Sequence, residues 1–453
     1  MNVLEPLLIL KDNKDSENEA SLDTKNECFK DSVSKNILKL RKGAFQDFDR
    51  KEIYESTIKN SFSTTEINKE NIPMNISIQE SVSLKNRKDI NKKPERVLWV
   101  DCLRIYACFL VNWTHCSWFF CRIPFHSKNW YVHTTYRGLS RACVPYFVII
   151  SGMFFLNPEK KLSYRKIYTK YVWRIFKSFI FWGLFHAIVF KRFLYNDISL
   201  KFIKENPKKT INDFIQGREH MWYLNFVMGL YMLTPIYRAI ARDRAATVYM
   251  IIASSIMCQL FPTLSSVLRD ICKFKNVEVF TNFISSLRME LVGSFTVYYL
   301  FGYVSTWHTI KKKRYLYLSY LVGFVGLIMT PKLHILQNRG RKNEIRNFYN
   351  YYAFNVAMTS IGGFIFFKYE VTKWIRSLLK QKWFVKIVMT LSDCSFGIYL
   401  SHFSIAKYLS LKGLNANTYN PLYFIPIQTM IVFIVSFLVI YFMRKIPLFR
   451  HIT

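Results

Sequence analysis

One apolar run of the sequence, residues 98–120, holds three ionisable side chains whose spacing is suited to chemistry. Asp101 and Arg104 stand three positions apart, so on a helix they lie one turn from each other and can form an ion pair. His115 follows Arg104 by eleven positions, which returns it to within about 20° of the same helix face, about 16 Å further along the axis. The spacing therefore predicts one face with an anchored cation near one end and an imidazole near the other.

This combination of groups permits acid–base chemistry. Ionisable side chains inside membrane helices are costly to bury and are usually functional, and imidazole is the side chain best suited to take up a proton near neutral pH. A structural interpretation stays open beside it: Asp101 and Arg104 form an ion pair, and His115 only hydrogen-bonds a neighbouring helix. The spacing alone does not choose between the two.

Further ionisable groups occur in other apolar runs. His402 follows Tyr399 by three positions, on one side of a helix, and is well placed for function. His220 opens a run as His-Met-Trp-Tyr-Leu, which an aromatic belt at the membrane interface would also explain. We expect structural roles for three other groups in these runs: His186, Glu290 and Asp393.

The composition is that of an integral membrane protein. Hydrophobic residues make up 51% of the chain and aromatic residues 17%, more aromatic bulk than soluble domains carry. The net charge of +34 arises after residue 95, because the first 95 residues hold 17 basic and 17 acidic groups. The later basic residues stand in short clusters between apolar runs, which is typical of loops that flank membrane helices and argues against nucleic-acid binding.

Apolar runs long enough to cross a bilayer recur from Val97 onward. We predict an all-α polytopic bundle of about ten transmembrane helices over residues 96–453. It follows a disordered polar N-terminal tail, residues 1–95, rich in Asn, Lys, Ser and Glu. Within the tail, residues 33–48 are predicted to form a short amphipathic helix. The predicted spans are 98–120, 139–156, 174–193, 221–237, 246–262, 290–306, 315–331, 348–367, 386–409 and 421–443.

The charge of the loops indicates the orientation of the protein in the membrane, and the spacing of the cysteines limits which cofactors it can hold. Loops predicted to be inside hold 23 basic groups against 21 outside, so the positive-inside rule favours cytoplasmic N- and C-termini by a small margin. The sequence shows no lipidation or retention signal, which makes the plasma membrane the default. No C-x-x-C pair occurs, so a zinc or redox site has little support, and we expect no metal and no resident cofactor.

Four motifs, in chain order, resemble the membrane-bound acyltransferase family 3, the integral-membrane O-acyltransferases of cell-surface glycans. The first helix of that family carries a basic residue, ten intervening positions and a His, which Arg104 and His115 match. The similarity spans residues 96 to 443 and leaves out the tail. The motifs are Arg96-Val-Leu-Trp-Val-Asp-Cys-Leu-Arg104 through His115, Arg141-Ala-Cys-Val-Pro145 through Ser151-Gly152, His220-Met-Trp222-Tyr-Leu224 followed by Gly229, Tyr231 and Pro235, and Ser395-Phe396-Gly397-Ile398-Tyr399-Leu400-Ser-His402.

The resemblance implies transfer of an acyl group, usually acetyl, from acyl-CoA to a hydroxyl or amine. Acceptors in the family are commonly cell-surface or lipid-linked glycans, and acyl-CoA is a co-substrate rather than a bound cofactor. A cation near the inner end of the first helix suits the phosphates of cytoplasmic CoA. The implied site has His115 as general base with Asp101, acyl-CoA held by Arg104, Arg174, Lys177 and Arg141, and the acceptor held by Trp222, His220, Tyr399 and His402.

One loop departs from the family pattern. Some members carry Arg-x-x-Arg before the third span; here Arg174 matches the second Arg, but Tyr171 stands in the first place. Lys170 and Lys177 are close and can act as point charges, though not as the bidentate fork of an arginine. This departure affects how the phosphates of a donor would be bound.

A function from another class also fits a polar-lined bundle. A transporter or exporter of a glycan or lipid-linked intermediate would use the same His–Arg face to gate protons. Such proteins more often show internal repeats with broken helices, and this sequence shows no clear repeat, which favours an enzyme. A membrane scaffold is a third alternative, although it would not need a buried His on the same face as a buried Arg.

Overall fold

The computed structural model describes residues 96–117, 123–186, 214, 220–274, 276–287, 293 and 295–453. Within these ranges every regular element is helical and no strand occurs, so the predicted all-α class is confirmed. The predicted tail, residues 1–95, its helix at 33–48 and Glu290 lie outside the described residues.

Each run predicted as a membrane span contains a helix, and the structure adds α2 and α7, which hydropathy did not predict. The helices are α1 Leu98–Cys116, α2 Lys128–Leu139, α3 Cys143–Phe155, α4 Trp173–Leu184, α5 Trp222–Arg242, α6 Arg244–Ile271, α7 Val277–Ser286, α8 Thr296–Val304, α9 Lys313–Asn338, α10 Phe354–Phe366, α11 Lys382–Leu411 and α12 Pro421–Met443.

Several of these helices are long and apolar enough to cross a membrane. Among the described residues five helical stretches meet this requirement, and one of them joins α2 and α3 across a short turn. The five support a multi-pass membrane protein, while the figure of about ten spans stays a prediction. They are Lys128–Phe155, Arg244–Ile271, Lys313–Asn338, Lys382–Leu411 and Pro421–Met443.

Local side chains fix where helices begin. The Ser127 hydroxyl accepts a hydrogen bond from the N–H of Trp130 at 3.1 Å, and the Asp243 carboxylate accepts one from the N–H of Ala245 at 2.8 Å. Each bond satisfies an amide at a helix start that has no partner within the helix. Pro421 opens α12, where its missing N–H and fixed φ do no harm.

Glycine allows α3 and α8 to pack backbone to backbone. A Cβ on Gly152 would lie 1.8 Å from the carbonyl oxygen of Tyr299, and one on Gly302 would lie 2.0 Å from that of Ile149. Any larger side chain would separate the two helices. Gly152 ends the Ile-Ser-Gly motif, so that motif sets a helix contact, and it places Ser151 on the wall of the cavity described below.

Helix α1 packs against α3, α11 and α12. Its contact with α11 is polar: the Cys108 thiol donates to the main-chain oxygen of Ser395 at 3.4 Å, and Arg104 and Arg96 reach Ser392 and Asp393. Helix α1, which carries Asp101, Arg104 and His115, thus lies inside the bundle, where its polar face meets polar groups rather than lipid.

Candidate active site

Asp101 holds Arg104 in position at one end of α1. The carboxylate is only 3% exposed and accepts from Arg104 Nη1 at 3.1 Å and from the Ser392 hydroxyl at 2.6 Å. Its other oxygen accepts from Arg96 Nε at 2.6 Å. The ion pair between Asp101 and Arg104 that the spacing predicts is therefore present, and it leaves most of the Arg104 N–H donors unused.

A cavity of about 390 Å³ opens beside Arg104. Arg174 of α4 and Arg444, which follows α12, line it together with Arg104. Among the described residues, Asp393 is the one carboxylate on its wall, and Arg96 binds that group at 2.7 Å. The wall is thus strongly cationic and suits a ligand with several negative charges. Its aromatic members are Phe147, Phe154, Phe155, Tyr223, Tyr231, Phe396 and Tyr399.

Three of the predicted site residues are imidazoles that meet deeper in the bundle, beside a fourth imidazole, His186, whose ring centroid lies 5.2 Å from that of His220. The ring centroid of His115 lies 5.0 Å from that of His402 and 6.2 Å from that of His220, and the latter two are 5.2 Å apart. All three side chains are buried. A small cavity of about 20 Å³ touches His115, His220, Trp222 and Tyr399, which brings the predicted base together with three of the predicted acceptor residues. Among the described residues no cluster of His, Cys, Asp and Glu has the geometry to hold a metal ion.

Main-chain contacts orient two of these groups. The Tyr399 hydroxyl donates to the main-chain oxygen of His220, and His402 Nδ1 lies 2.6 Å from the main-chain oxygen of Tyr399. A carbonyl only accepts, so Nδ1 of His402 carries the hydrogen, and Nε2 has no hydrogen-bond partner among the described residues. By contrast, both ring nitrogens of His186 have partners, the main-chain oxygen of Leu400 at 3.3 Å and the Ser404 hydroxyl at 3.0 Å, as expected for a structural core group.

The large and the small cavity share part of their walls. Phe147, Tyr223 and Tyr399 line both of them, so the arginine-lined cavity ends against the rings that surround His115. Arg104 and His115 are eleven residues apart on one helix, which corresponds to about 16 Å. An elongated ligand with its anionic end at Arg104 would therefore place its other end near His115.

Three predicted site residues lie elsewhere. Asp101 precedes His115 by fourteen residues on α1, about 21 Å, and contacts arginines rather than the imidazole. Lys177 is not on the wall of the arginine-lined cavity. Arg141 precedes α3 and contacts Tyr349 and Tyr351, whereas the opposite end of α3 lines that cavity. The structure brings Arg104 and Arg174 together and leaves Arg141 and Lys177 out.

One cation of the cavity was not predicted. Arg444 joins Arg104 and Arg174, while Tyr171, in the place of the missing family arginine, packs its ring 4.8 Å from that of Phe155. The sequence signal for Arg444 is its place directly after the last predicted span, 421–443, where basic residues commonly flank a membrane helix. Arg444 and Arg174 also donate to the main-chain oxygen of Thr453, at 3.0 and 3.3 Å.

The fold and the site together define a helical membrane protein that carries a cationic cavity next to a buried histidine cluster. Residues 97–444 match the family model of the acyltransferase domain, acyltransferase family 3. Because the match covers most of the chain, the protein belongs to this family of acyltransferases. No curated protein and no solved structure shows a significant match.

Proposed function

We propose that the protein transfers an acyl group, usually acetyl, from acyl-CoA to a hydroxyl or amine of a glycan or related cell-surface acceptor. One observation carries the proposal: the arginine-lined cavity and the histidine pocket share the walls Phe147, Tyr223 and Tyr399. A donor with anionic phosphates, a long neutral arm and a terminal thioester fits such a path. Membership of an acyltransferase family gives the class of reaction.

The donor binds by its charged end. Arg104, Arg174 and Arg444 contact the phosphates of CoA, where charge-assisted hydrogen bonds are roughly twice as strong as neutral ones. Asp101 positions Arg104 through the 3.1 Å ion pair, so its part is indirect. The pantetheine arm then runs past the aromatic wall towards His115.

The chemical step takes place at His115. Its imidazole removes the proton from the acceptor hydroxyl as the hydroxyl oxygen attacks the thioester carbonyl. The tetrahedral intermediate collapses, the carbon–sulfur bond breaks, and the proton passes from the imidazole to the thiolate of CoA. The products are an acyl ester of the acceptor and free CoA, so the step needs no other reactant. Acyl transfer through His115 itself is a variant with the same products.

Aromatic and imidazole groups form the acceptor side. Trp222 and Tyr399 line the pocket beside His115, and flat rings of this kind suit the faces of sugars. His220 lines the same pocket, and His402 packs against the His115 ring at 5.0 Å. The remaining proposals come from the sequence: a plasma-membrane location, cytoplasmic termini, about ten spans, and a polar tail, residues 1–95, before an acyltransferase domain at 96–453.

Acceptor-dependent thiol release tests the proposal. Full-length protein in nanodiscs receives acetyl-CoA and a panel of glycan acceptors, and free CoA is measured for wild type, His115→Ala and the control His308→Ala, a change at an exposed histidine. We expect His115→Ala to lower turnover by about 10²- to 10⁴-fold and His308→Ala to leave it unchanged. Turnover in His115→Ala equal to wild type would refute the proposed mechanism.

A further inference from the structure

Arg141 is a buried cation that the proposed reaction does not yet use. Its side chain is 8% exposed, and its guanidinium carbon lies 3.9 Å from the ring centroid of Tyr351 and 6.0 Å from that of Tyr349. Its Nε has no hydrogen-bond partner among the described residues. The group is therefore held by ring faces, which leave its N–H donors in the guanidinium plane available.

The carboxylates in the segments that surround this site are bound to other groups. Glu344 accepts from His334 Nε2 at 3.0 Å and from Arg346 Nε at 2.6 Å. Burial raises the pKa of Glu344, but these hydrogen bonds outweigh it and hold the pKa below its ordinary value, so the carboxylate stays ionised and occupied. Asp270 pairs with Arg269 and Arg341, each at 3.1 Å, and accepts from Gln337 Nε2 at 2.6 Å. Among the described residues no carboxylate forms an ion pair with Arg141.

The two tyrosines around Arg141 are held by hydrogen bonds of their own, Tyr349 through its hydroxyl and Tyr351 through its main chain. The Tyr349 hydroxyl donates to the main-chain oxygen of Thr134 at 2.6 Å, and its ring stacks on His334 with centroids 3.9 Å apart. The main-chain oxygen of Tyr351 accepts from the Tyr298 hydroxyl at 2.6 Å. A preformed site of this kind binds a ligand without a large ordering cost.

The site adjoins the histidine pocket. Tyr351 lines that pocket beside His115 and stacks on Trp222 with ring centroids 5.7 Å apart. The Thr114 and Ser140 hydroxyls are 2.7 Å apart, and these residues directly precede His115 and Arg141, respectively. Arg141 therefore lies next to the acceptor pocket, on the side of Tyr351.

Distance separates Arg141 from the proposed donor site. Ser151 lines the arginine-lined cavity and follows Arg141 by ten residues, about 15 Å along α3. A phosphate held by Arg104 and Arg174 is thus out of reach of Arg141. A buried arginine without a counter-ion is costly unless a ligand supplies the negative charge.

We propose that Arg141 binds an anionic group, a carboxylate or a phosphate, of the acceptor, so that the enzyme selects acidic acceptors. This inference rests on the proposed function, since it specifies which acceptors reach His115. The rings of Tyr349 and Tyr351 orient the guanidinium, and the acceptor hydroxyl then faces the histidine cluster.

Three pyranoses that differ only at carbon 6 test the proposal: glucose, glucuronic acid and glucose 6-phosphate. Their dissociation constants are measured by titration calorimetry on full-length protein in nanodiscs, with CoA titrated separately. The variants are Arg141→Gln, Arg141→Lys and the control Arg339→Gln, which makes the same change at an exposed arginine. Wild type should bind both acidic sugars roughly 10-fold or more tightly than glucose, because bonds between charged groups are the stronger ones.

Arg141→Gln should lose this preference, Arg141→Lys should keep part of it, and Arg339→Gln should keep all of it. The dissociation constant of CoA should be the same in wild type and the three variants, which also shows that they fold. Equal affinities of wild type for the three sugars would overturn the proposal, as would weaker CoA binding in Arg141→Gln. A preference for glucose 6-phosphate alone that persists in Arg141→Gln assigns the phosphate to the donor cavity and also overturns it. Failure of the proposed function would instead appear as absent CoA binding in wild type.

Discussion

Arg104 lies near one end of α3 and Arg141 near the other, with the histidine pocket between them. The two arginines are held in different ways. Arg104 is fixed by a carboxylate, Asp101, which is itself bound by Arg96 and Ser392. Arg141 is fixed by the faces of tyrosine rings and has no carboxylate partner among the described residues.

The difference indicates what each site can bind. A carboxylate partner offsets the burial of Arg104 and uses part of its donors, so this arginine is stable without a ligand. Binding of a polyanion such as CoA requires more than one cation. Arg174 and Arg444 supply the further positive charges on the same cavity wall. Ring faces orient Arg141 without using its donors, which suits a single anionic group. One end of α3 thus fits a donor with several phosphates and the other fits an acceptor with one charge.

Removal of the Asp101 charge should break the first of these sites and should have the largest effect. In Asp101→Asn, Arg104, whose side chain is 30% exposed, loses its carboxylate partner, and Arg96, 33% exposed, keeps only its ion pair with Asp393. We expect a loss of about 3 kcal/mol, the lower end for a buried ion pair because the arginines are partly solvated. The thermal unfolding midpoint should fall, and the CoA dissociation constant should rise about 10-fold as Arg104 moves. A variant that retains both values would show that the pair does not position Arg104.

Loss of the Tyr349 hydroxyl should weaken the second site alone. Tyr349→Phe removes the 2.6 Å bond to Thr134 and keeps the ring, which should cost about 1 kcal/mol of stability. Binding of glucuronic acid should weaken while CoA binding stays the same, measured by calorimetry. The control is Tyr352→Phe, a change at a more exposed tyrosine of the same loop. Weaker CoA binding in Tyr349→Phe would mean that the two sites are not separate.

The smallest effect is expected at Lys177. Sequence reasoning grouped this residue with the donor arginines, but it is not on the wall of their cavity. Lys177→Gln should change the KM for acetyl-CoA by less than about 2-fold, as for a partly solvated charge that does not line the cavity, whereas Arg444→Gln should raise it about 10-fold. A larger rise in KM for Lys177→Gln than for Arg444→Gln would place Lys177 in the donor site, as the sequence predicts.

Local relations along one helix were predictable. The shared face of Asp101, Arg104 and His115 follows from the period of the helix, and the ion pair between the first two is present. The helical class followed from the apolar runs, because a chain in lipid must satisfy its backbone within each span.

Relations between distant segments were not predictable from spacing. Arg444 follows α12, Ser392 lies on α11 and Tyr351 lies in the loop before α10, and only tertiary packing brings them to the site. The place of Arg141 also needed the structure, because only the structure shows that Ser151, ten positions later, lines the donor cavity. The prediction that Arg141 binds the donor followed from the charge of its side chain, and the acceptor role proposed above is the alternative to it.

The central claim is that donor binding and chemistry belong to separate groups on α1. Its most direct measurement is the CoA dissociation constant together with the single-turnover rate of acetyl transfer, for Arg104→Gln and His115→Ala in the same nanodiscs. We predict that Arg104→Gln weakens CoA binding roughly 10- to 100-fold, while His115→Ala binds CoA like wild type and loses the transfer rate. Weak CoA binding in His115→Ala, or a normal transfer rate in that variant at saturating CoA, would contradict the account.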